Sequence, residues 1–213
     1  MKLKFFILIT GMLFAILPCR SQVSDTILLP PVEKTGGMPL MEALQNRQSQ
    51  RSFSSMDISM QQMSNLLWAA YGINRPNGYR TVPSAKSYHE FDIYIIKSDG
   101  WYRYVPEGHF LIKQGEDDFR EYAGSQDFVQ TAPVNLIYVA DFERMTKDDE
   151  SNRIFYSACD VGFISQNVYL YCASEGLATV VRGERDNDRA RAAFKLRPGQ
   201  HIVLAQTIGF PEE

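Results

Sequence analysis

The sequence predicts an α+β sandwich, a mixed and mainly antiparallel sheet flanked by helices, in one domain of residues 38–213. Three observations predict it. Apolar residues recur at helical spacing across residues 60–70 and 151–174. They alternate with polar residues at 91–96 and run unbroken at 134–140, as strands covered on one face or on both do. Ser98-Asp99-Gly100 then turns one strand back on the next as a hairpin. The chain has 213 residues, 45% of them hydrophobic and 22% charged, so it can bury a real core and is not a disordered polymer. Its 22 Lys and Arg against 25 Asp and Glu leave no basic surplus for holding nucleic acid through phosphates.

Residues 1–21 read as a secretory signal peptide. Lys2 and Lys4 precede an apolar run from Phe5 to Leu17, and Cys19, Ser21 and Gln22 form a small and polar exit. At about 13 residues, the run is shorter than the ~20 that span a bilayer as a helix. Ile16-Leu17-Pro18-Cys19 looks like a lipoprotein box, but Pro18 stands where a small residue belongs. Cleavage after Ser21 is therefore preferred over anchoring through Cys19. It removes three basic residues and no acidic one, and the mature protein is expected to be exported, periplasmic or secreted, with no transmembrane span.

Residues 22–37, with Pro30-Pro31 and Gly36-Gly37, read as an extended arm outside the core. Leu40, Met41, Ala43 and Leu44 form one face of a short helix ending near Asn46. Ser59 is the N-cap of a second helix, whose Met60, Met63, Leu66, Leu67 and Ala70 face the core and whose C-cap is Gly72. A polar loop from Asn74 to Ser87 follows. Phe91, Ile93 and Ile95 predict a half-buried strand, and Trp101 to Tyr104 its hairpin partner. Residues 115–131 are acidic and mix helix with loop. A long helix from about Ser151 to Ser174 has Ile154, Ala158, Val161, Ile164 or Ser165, Val168 and Cys172 on one side, with Phe155, Phe163, Tyr169 and Leu170 widening it. Its second half is apolar nearly all round, as burial by neighbours or by a partner subunit requires. Gly176 ends it; Leu177 to Val181 form a strand, Asp188 to Phe194 a short helix, and Ile202 to Ile208 the last strand.

Several chemistries are excluded. Cys159 and Cys172 lie ~20 Å apart along one helix, beyond the about 7 Å that a disulfide allows, and read as buried free thiols. No G-x-S-x-G elbow is present, His89, His109 and His201 fit no zinc spacing, and no glycine-rich phosphate loop occurs. No metal is expected.

Arg47, Ser49 and Arg51 alternate, so in an extended segment all three project to one side. A guanidinium fork and a short hydroxyl suit a phosphate. This segment is the first of four patches. The others are Leu67 to Ile73 continuing through Arg80-Thr81-Val82-Pro83-Ser84-Ala85, Asp160-Val161-Gly162 with Gln166-Asn167, and Glu175 to Gly183 followed by Ile208-Gly209-Phe210-Pro211. Together they resemble the FMN-dependent nitroreductase family, nearest its azoline-dehydrogenase-like branch, over residues 38–211.

The resemblance implies a homodimer with two FMN sites at the subunit interface, each built from both chains. It assigns Arg47 and Ser49 to the phosphate and Arg51 to the flavin N1 and C2 carbonyl, where a cation stabilises the reduced anion. Pro83, Ser84 and Ala85 would line the isoalloxazine ring, with Ser87, or Lys86 one residue earlier, as a polar contact. Arg80 would approach the flavin or pair with a carboxylate. The backbone N–H of Arg182 would face flavin N5, with Gly183 allowing close approach. No side chain is catalytic, since the flavin carries the chemistry. Gly162 would admit a neighbouring helix. Many relatives carry a basic residue just past the terminal Gly-aromatic-Pro, whereas this chain ends Pro211-Glu212-Glu213, leaving Arg185 as a substitute cation. The implied activity is hydride transfer from NAD(P)H to a nitroaromatic, quinone or other small acceptor by double displacement. A dehydrogenase of another substrate and a non-catalytic flavin or small-molecule binder on the same scaffold are the alternatives.

Overall fold

The computed structural model describes residues 26–183 and 188–212. The expected signal peptide and Arg185 lie outside the described residues. In chain order the elements are β1 (Thr26–Leu28), α1 (Leu40–Asn46), α2 (Met60–Tyr71), β2 (Phe91–Lys97), β3 (Gly100–Val105), β4 (Phe110–Gly115), α3 (Asp127–Thr131), β5 (Val134–Asp141), α4 (Glu150–Ser174), β6 (Ala178–Arg182), α5 (Asp188–Ala193) and β7 (Gln200–Gly209). The strands form one sheet in the order β1-β4-β3-β2-β5-β7-β6, and every ladder in it is antiparallel. The expected mixture of strand directions is thus absent from this sheet.

The sheet is covered on both sides. On one, α2 and α4 pack Leu66, Leu67, Val161, Ile164 and Val168 against Ile93, Ile95, Leu136 and Tyr138. On the other, Tyr94, Ile96, Ile137 and Val139 meet Trp101, Ala190 and Phe194. β5 is therefore the doubly covered strand its composition predicts. β2, expected to be half-buried, is also buried on both faces, because aromatic rings from Trp101, Phe119 and Phe194 stack over its polar-patterned side.

Ser59 caps α2 as expected. Its hydroxyl accepts the Gln62 N–H at 3.1 Å while Gln62 Oε1 accepts the Ser59 N–H at 2.9 Å, a reciprocal capping box. Other expectations fail. Part of the arm is an edge strand, β1, paired with β4, and neither strand carries a strong period-two signal. The stripe on α4 is rotated at its start. Ser157 and Asp160 are buried there, whereas Ile154 is 56% exposed and Cys159 is also exposed. On α1 only Ala43 is buried, leaving Leu40, Met41 and Leu44 outside. No described helix is long and apolar enough to cross a membrane.

Candidate functional site

The segment after α1 leaves the helix at Arg47 with extended ψ, and Gln50 N–H donates to Thr179 O of β6 at 3.0 Å. That bond lays residues 47–51 alongside β6. Alternation then turns Arg47 and Ser49 the same way, toward Tyr169 on α4. The Arg47 guanidinium sits 5.3 Å from the Tyr169 ring centre, and Ser49 Oγ is 2.8 Å from the Tyr169 hydroxyl. The same hydroxyl accepts the Val181 N–H at 2.8 Å. Tyr169 thus ties the Arg-x-Ser segment to the end of β6. Arg51 is exposed, with no hydrogen bond or ion pair among the described residues. A cleft of about 430 Å³ opens beside Arg47, lined by Gln45, Asn46, Gln48, Gln50, Tyr169, Gly176, Thr179 and Pro211 among others. Its donors are a guanidinium, amides and hydroxyls, with no carboxylate among the described lining residues, a set that fits a phosphate.

At the end of β6 the Arg182 side chain turns inward. Its guanidinium donates to Ala123 O at 2.7 Å, Thr207 Oγ1 at 3.1 Å and Asn135 Oδ1 at 3.2 Å, and the residue is 5% exposed. A Cβ on Gly124 would overlap this guanidinium, so Gly124 makes room for it. Gly183 is exposed, and among the described residues a Cβ there would meet nothing within 4 Å.

The loop of Pro83, Ser84, Ala85 and Ser87 lies elsewhere. Ala85 N–H donates to Asp160 Oδ2 at 2.7 Å, and Lys86 Nζ pairs with Asp148 at 2.5 Å. Asp160 and Tyr169 stand roughly 13 Å apart along α4 at about 1.5 Å per residue. Within one chain, then, the loop and the Arg47–Ser49 segment do not line a common cleft. Of the two roles open to Arg80, the structure shows pairing: it is buried, reaches Glu107 at 2.9 Å and covers the Tyr71 ring at 4.2 Å.

The C-terminal segment runs back along the motif. Phe53 bridges Pro211, Ser54 N–H donates to Phe210 O, and Ser52 Oγ donates to Glu212 Oε2 at 2.6 Å. Where many relatives present a cation, this chain places a carboxylate one residue from Arg51. Sequence reasoning missed Tyr169, which it counted only among the apolar residues widening α4, and Glu90. A tyrosine on the last turns of a helix preceding a strand, with a hydroxyl needing a partner, was the only local signal for the first.

An antiparallel sheet packed against a long central helix, with an anion-compatible cleft between an extended Arg-x-Ser segment and a strand end, defines an α+β protein. The nitroreductase family profile matches residues 44–210. A nitroreductase homologue of Methanocaldococcus jannaschii is 32% identical over 193 residues, spanning 86% of this chain and 95% of that one. The crystal structure of a nitroreductase homologue from Ralstonia eutropha JMP134 superposes with a TM-score of 0.83 at 40% identity, covering 89% of this chain and 90% of the other. The NADPH:FMN oxidoreductase of Vibrio harveyi, complexed with NAD+, shares the fold at a TM-score of 0.62 and 17% identity, over 82% of this chain and 69% of that one. The chain belongs to the nitroreductase family and is an oxidoreductase.

Proposed function

We propose that the protein is an exported, FMN-dependent, homodimeric oxidoreductase acting on a small-molecule acceptor. The observation that carries this reading is the convergence of Arg47 and Ser49 on Tyr169 beside a cleft free of carboxylates. Bound FMN would supply two-electron hydride chemistry between NAD(P)H and a nitroaromatic, quinone or similar acceptor. Arg47 and Ser49 hold the phosphate, and Arg51, with no hydrogen bond or ion pair among the described residues, is left to reach the flavin pyrimidine edge. The Arg182 side chain is occupied in the core, so this residue acts through its backbone. Export rests on the amino-terminal pattern of residues 1–21.

The separation of the 83–87 loop from Arg47 supports a site completed by a second copy. So does the face of α4: Phe155 is 61% exposed, Phe163 47%, and among the described residues a Cβ on Gly162 would meet nothing within 4 Å. A glycine inside a helix costs about 1 kcal/mol against alanine, which close approach of a partner helix would offset. Phe163→Asp is expected to convert the dimer to monomer in light scattering and to release bound flavin. A variant that stays dimeric with flavin bound rejects this interface.

A second reading, a flavin or small-molecule binder without turnover, is favoured by Glu212, whose carboxylate stands next to the motif, and an FMN-dependent dehydrogenase of another substrate is the enzymatic alternative. The purified protein separates the two. The first reading predicts a yellow protein, bleached anaerobically by NADH or NADPH and recoloured by a nitroaromatic. Bound flavin that neither donor reduces supports the second, and a colourless protein that ignores added FMN rejects both.

A further inference from the structure

Beneath the 83–89 loop, two acidic side chains are buried together. Glu90, just before β2, is 0% exposed, and Asp160 on α4 is 3% exposed. Their carboxyls are within hydrogen-bond reach of each other, and the Ser84 hydroxyl is within reach of both. Each also holds the loop. Asp160 Oδ2 accepts the Ala85 N–H at 2.7 Å, while Glu90 Oε2 accepts from Ser84 Oγ at 3.3 Å and Ser84 Oγ accepts the His89 N–H at 3.0 Å. Glu90 Oε1 is buried without a donor.

The loop they hold is strained. Lys86, Ser87 and His89 have φ of 51°, 56° and 49°, a left-handed conformation that side-chain-bearing residues rarely adopt. Such residues cluster where the surroundings over-determine them. Two clamps do so here. Asp148 accepts from Lys86 Nζ at 2.5 Å and from the Tyr88 hydroxyl at 2.6 Å on the outside, and the carboxyl pair acts on the inside.

We infer that Glu90 and Asp160 share one proton and act as positioning residues, a latch that sets the Pro83–Ser84–Ala85 backbone for the flavin ring and releases it when that proton leaves. The role at the ring rests on the function proposed above; the latch itself does not. With one proton between them, the two carboxyls share a hydrogen bond and the Ser84 hydroxyl stays within reach of both. Without it, two carboxylates face each other out of contact with solvent. The neighbouring charged and titratable groups do not neutralise them. On the loop, Arg80 is committed to Glu107 and Tyr71 O. His89 has its affinity for a proton lowered, first by burial and then by the Arg80 charge, and its Nδ1 is buried without a hydrogen bond. Arg144, behind β2, forks onto Asp92, and from α2 the Tyr71 hydroxyl accepts the Phe91 N–H.

Burial is the chief cause that pushes the Glu90 carboxyl up, from 4.5 to about 7, and it also raises Asp160. The native state therefore holds a proton that the unfolded chain has lost. Its stabilising contribution is full at acid pH, declines as pH rises from 4.5, and is gone above about 7.

The test is hydrogen exchange of the 83–89 segment in the purified protein, corrected for intrinsic rates, from about pH 5.5 to about pH 8.5, with FMN titrations alongside. Protection of the Ala85 amide should fall roughly tenfold above about pH 7 in the native sequence. Glu90→Gln, which keeps a donor and an acceptor at all pH, should remain protected throughout, and its FMN affinity relative to the native protein should rise with pH. Asp160→Asn removes the facing charge and should abolish the same pH step. Equal protection across the range in the native protein, or parallel profiles in the native protein and Glu90→Gln, overturns the latch; so does a pH step that survives Asp160→Asn. A loop that responds as expected in a protein binding no FMN at any pH overturns the flavin reading and the positioning role, and upholds the latch.

Discussion

Arg47→Ala is expected to weaken FMN binding by roughly 10- to 150-fold, the equivalent of about 1.5–3 kcal/mol for a lost charge-assisted hydrogen bond. The geometry makes this a clean experiment. Arg47 is only partly buried and lies over Tyr169 at 5.3 Å rather than in an ion pair, so its removal orphans no buried charge. The fold should lose no more than about 0.5 kcal/mol, as for a surface substitution. Arg47→Lys should recover part of the affinity, because a point charge replaces a planar fork. Quenching of flavin fluorescence on titration measures the constant directly. An unchanged constant in Arg47→Ala removes this residue from the phosphate site and, with it, the main support for the proposed function.

The opposite behaviour is expected at Arg182. Replacing it with methionine should destabilise the protein by about 3 kcal/mol or more, since an unpaired buried acceptor costs roughly 1–3 kcal/mol. The guanidinium donates to Ala123 O, Thr207 Oγ1, Gln126 Oε1 and Asn135 Oδ1, and of these Asn135 Oδ1 keeps a second donor in the Thr207 hydroxyl. Asn135 also accepts from Thr207 Oγ1 at 2.7 Å and donates to Val129 O at 2.9 Å, so the damage spreads from β6 through β7 to α3 and β5. Urea unfolding reads the loss. Because the backbone N–H of residue 182 survives the substitution, the fraction that remains folded should bind FMN with nearly native affinity. Affinity lost in parallel with Arg47→Ala would show that the guanidinium, and not the amide, serves the cofactor.

Glu212 shows where reading along the chain stops. That an acidic residue follows Pro211 is plain from the sequence. That its carboxylate swings onto Ser52, one residue from Arg51, follows only from the pairing of Phe53 with Pro211. The α4 stripe shows the same limit. Ile154 was assigned inward because it is apolar and in phase with Val161, yet it faces out while Asp160 is buried. A helix that serves an interface and a buried polar cluster has no single apolar face for periodicity to find.

By itself the sequence determined the order and type of nearly all the elements, the capping of α2, the doubly covered β5, and the Arg47-x-Ser49 pattern. These depend on interactions within a few residues, namely helical and strand periodicity, caps and turns. Only the tertiary structure decided that β1 and β4 complete the sheet edge, that Tyr169 gathers Arg47, Ser49 and Val181, and that Glu90 meets Asp160 under a strained loop. The physical reason is distance along the chain: partners such as Ser49 and Tyr169, or Glu90 and Asp160, are brought together by packing of the sheet against α4, and no local pattern encodes which distant group a buried polar atom will find.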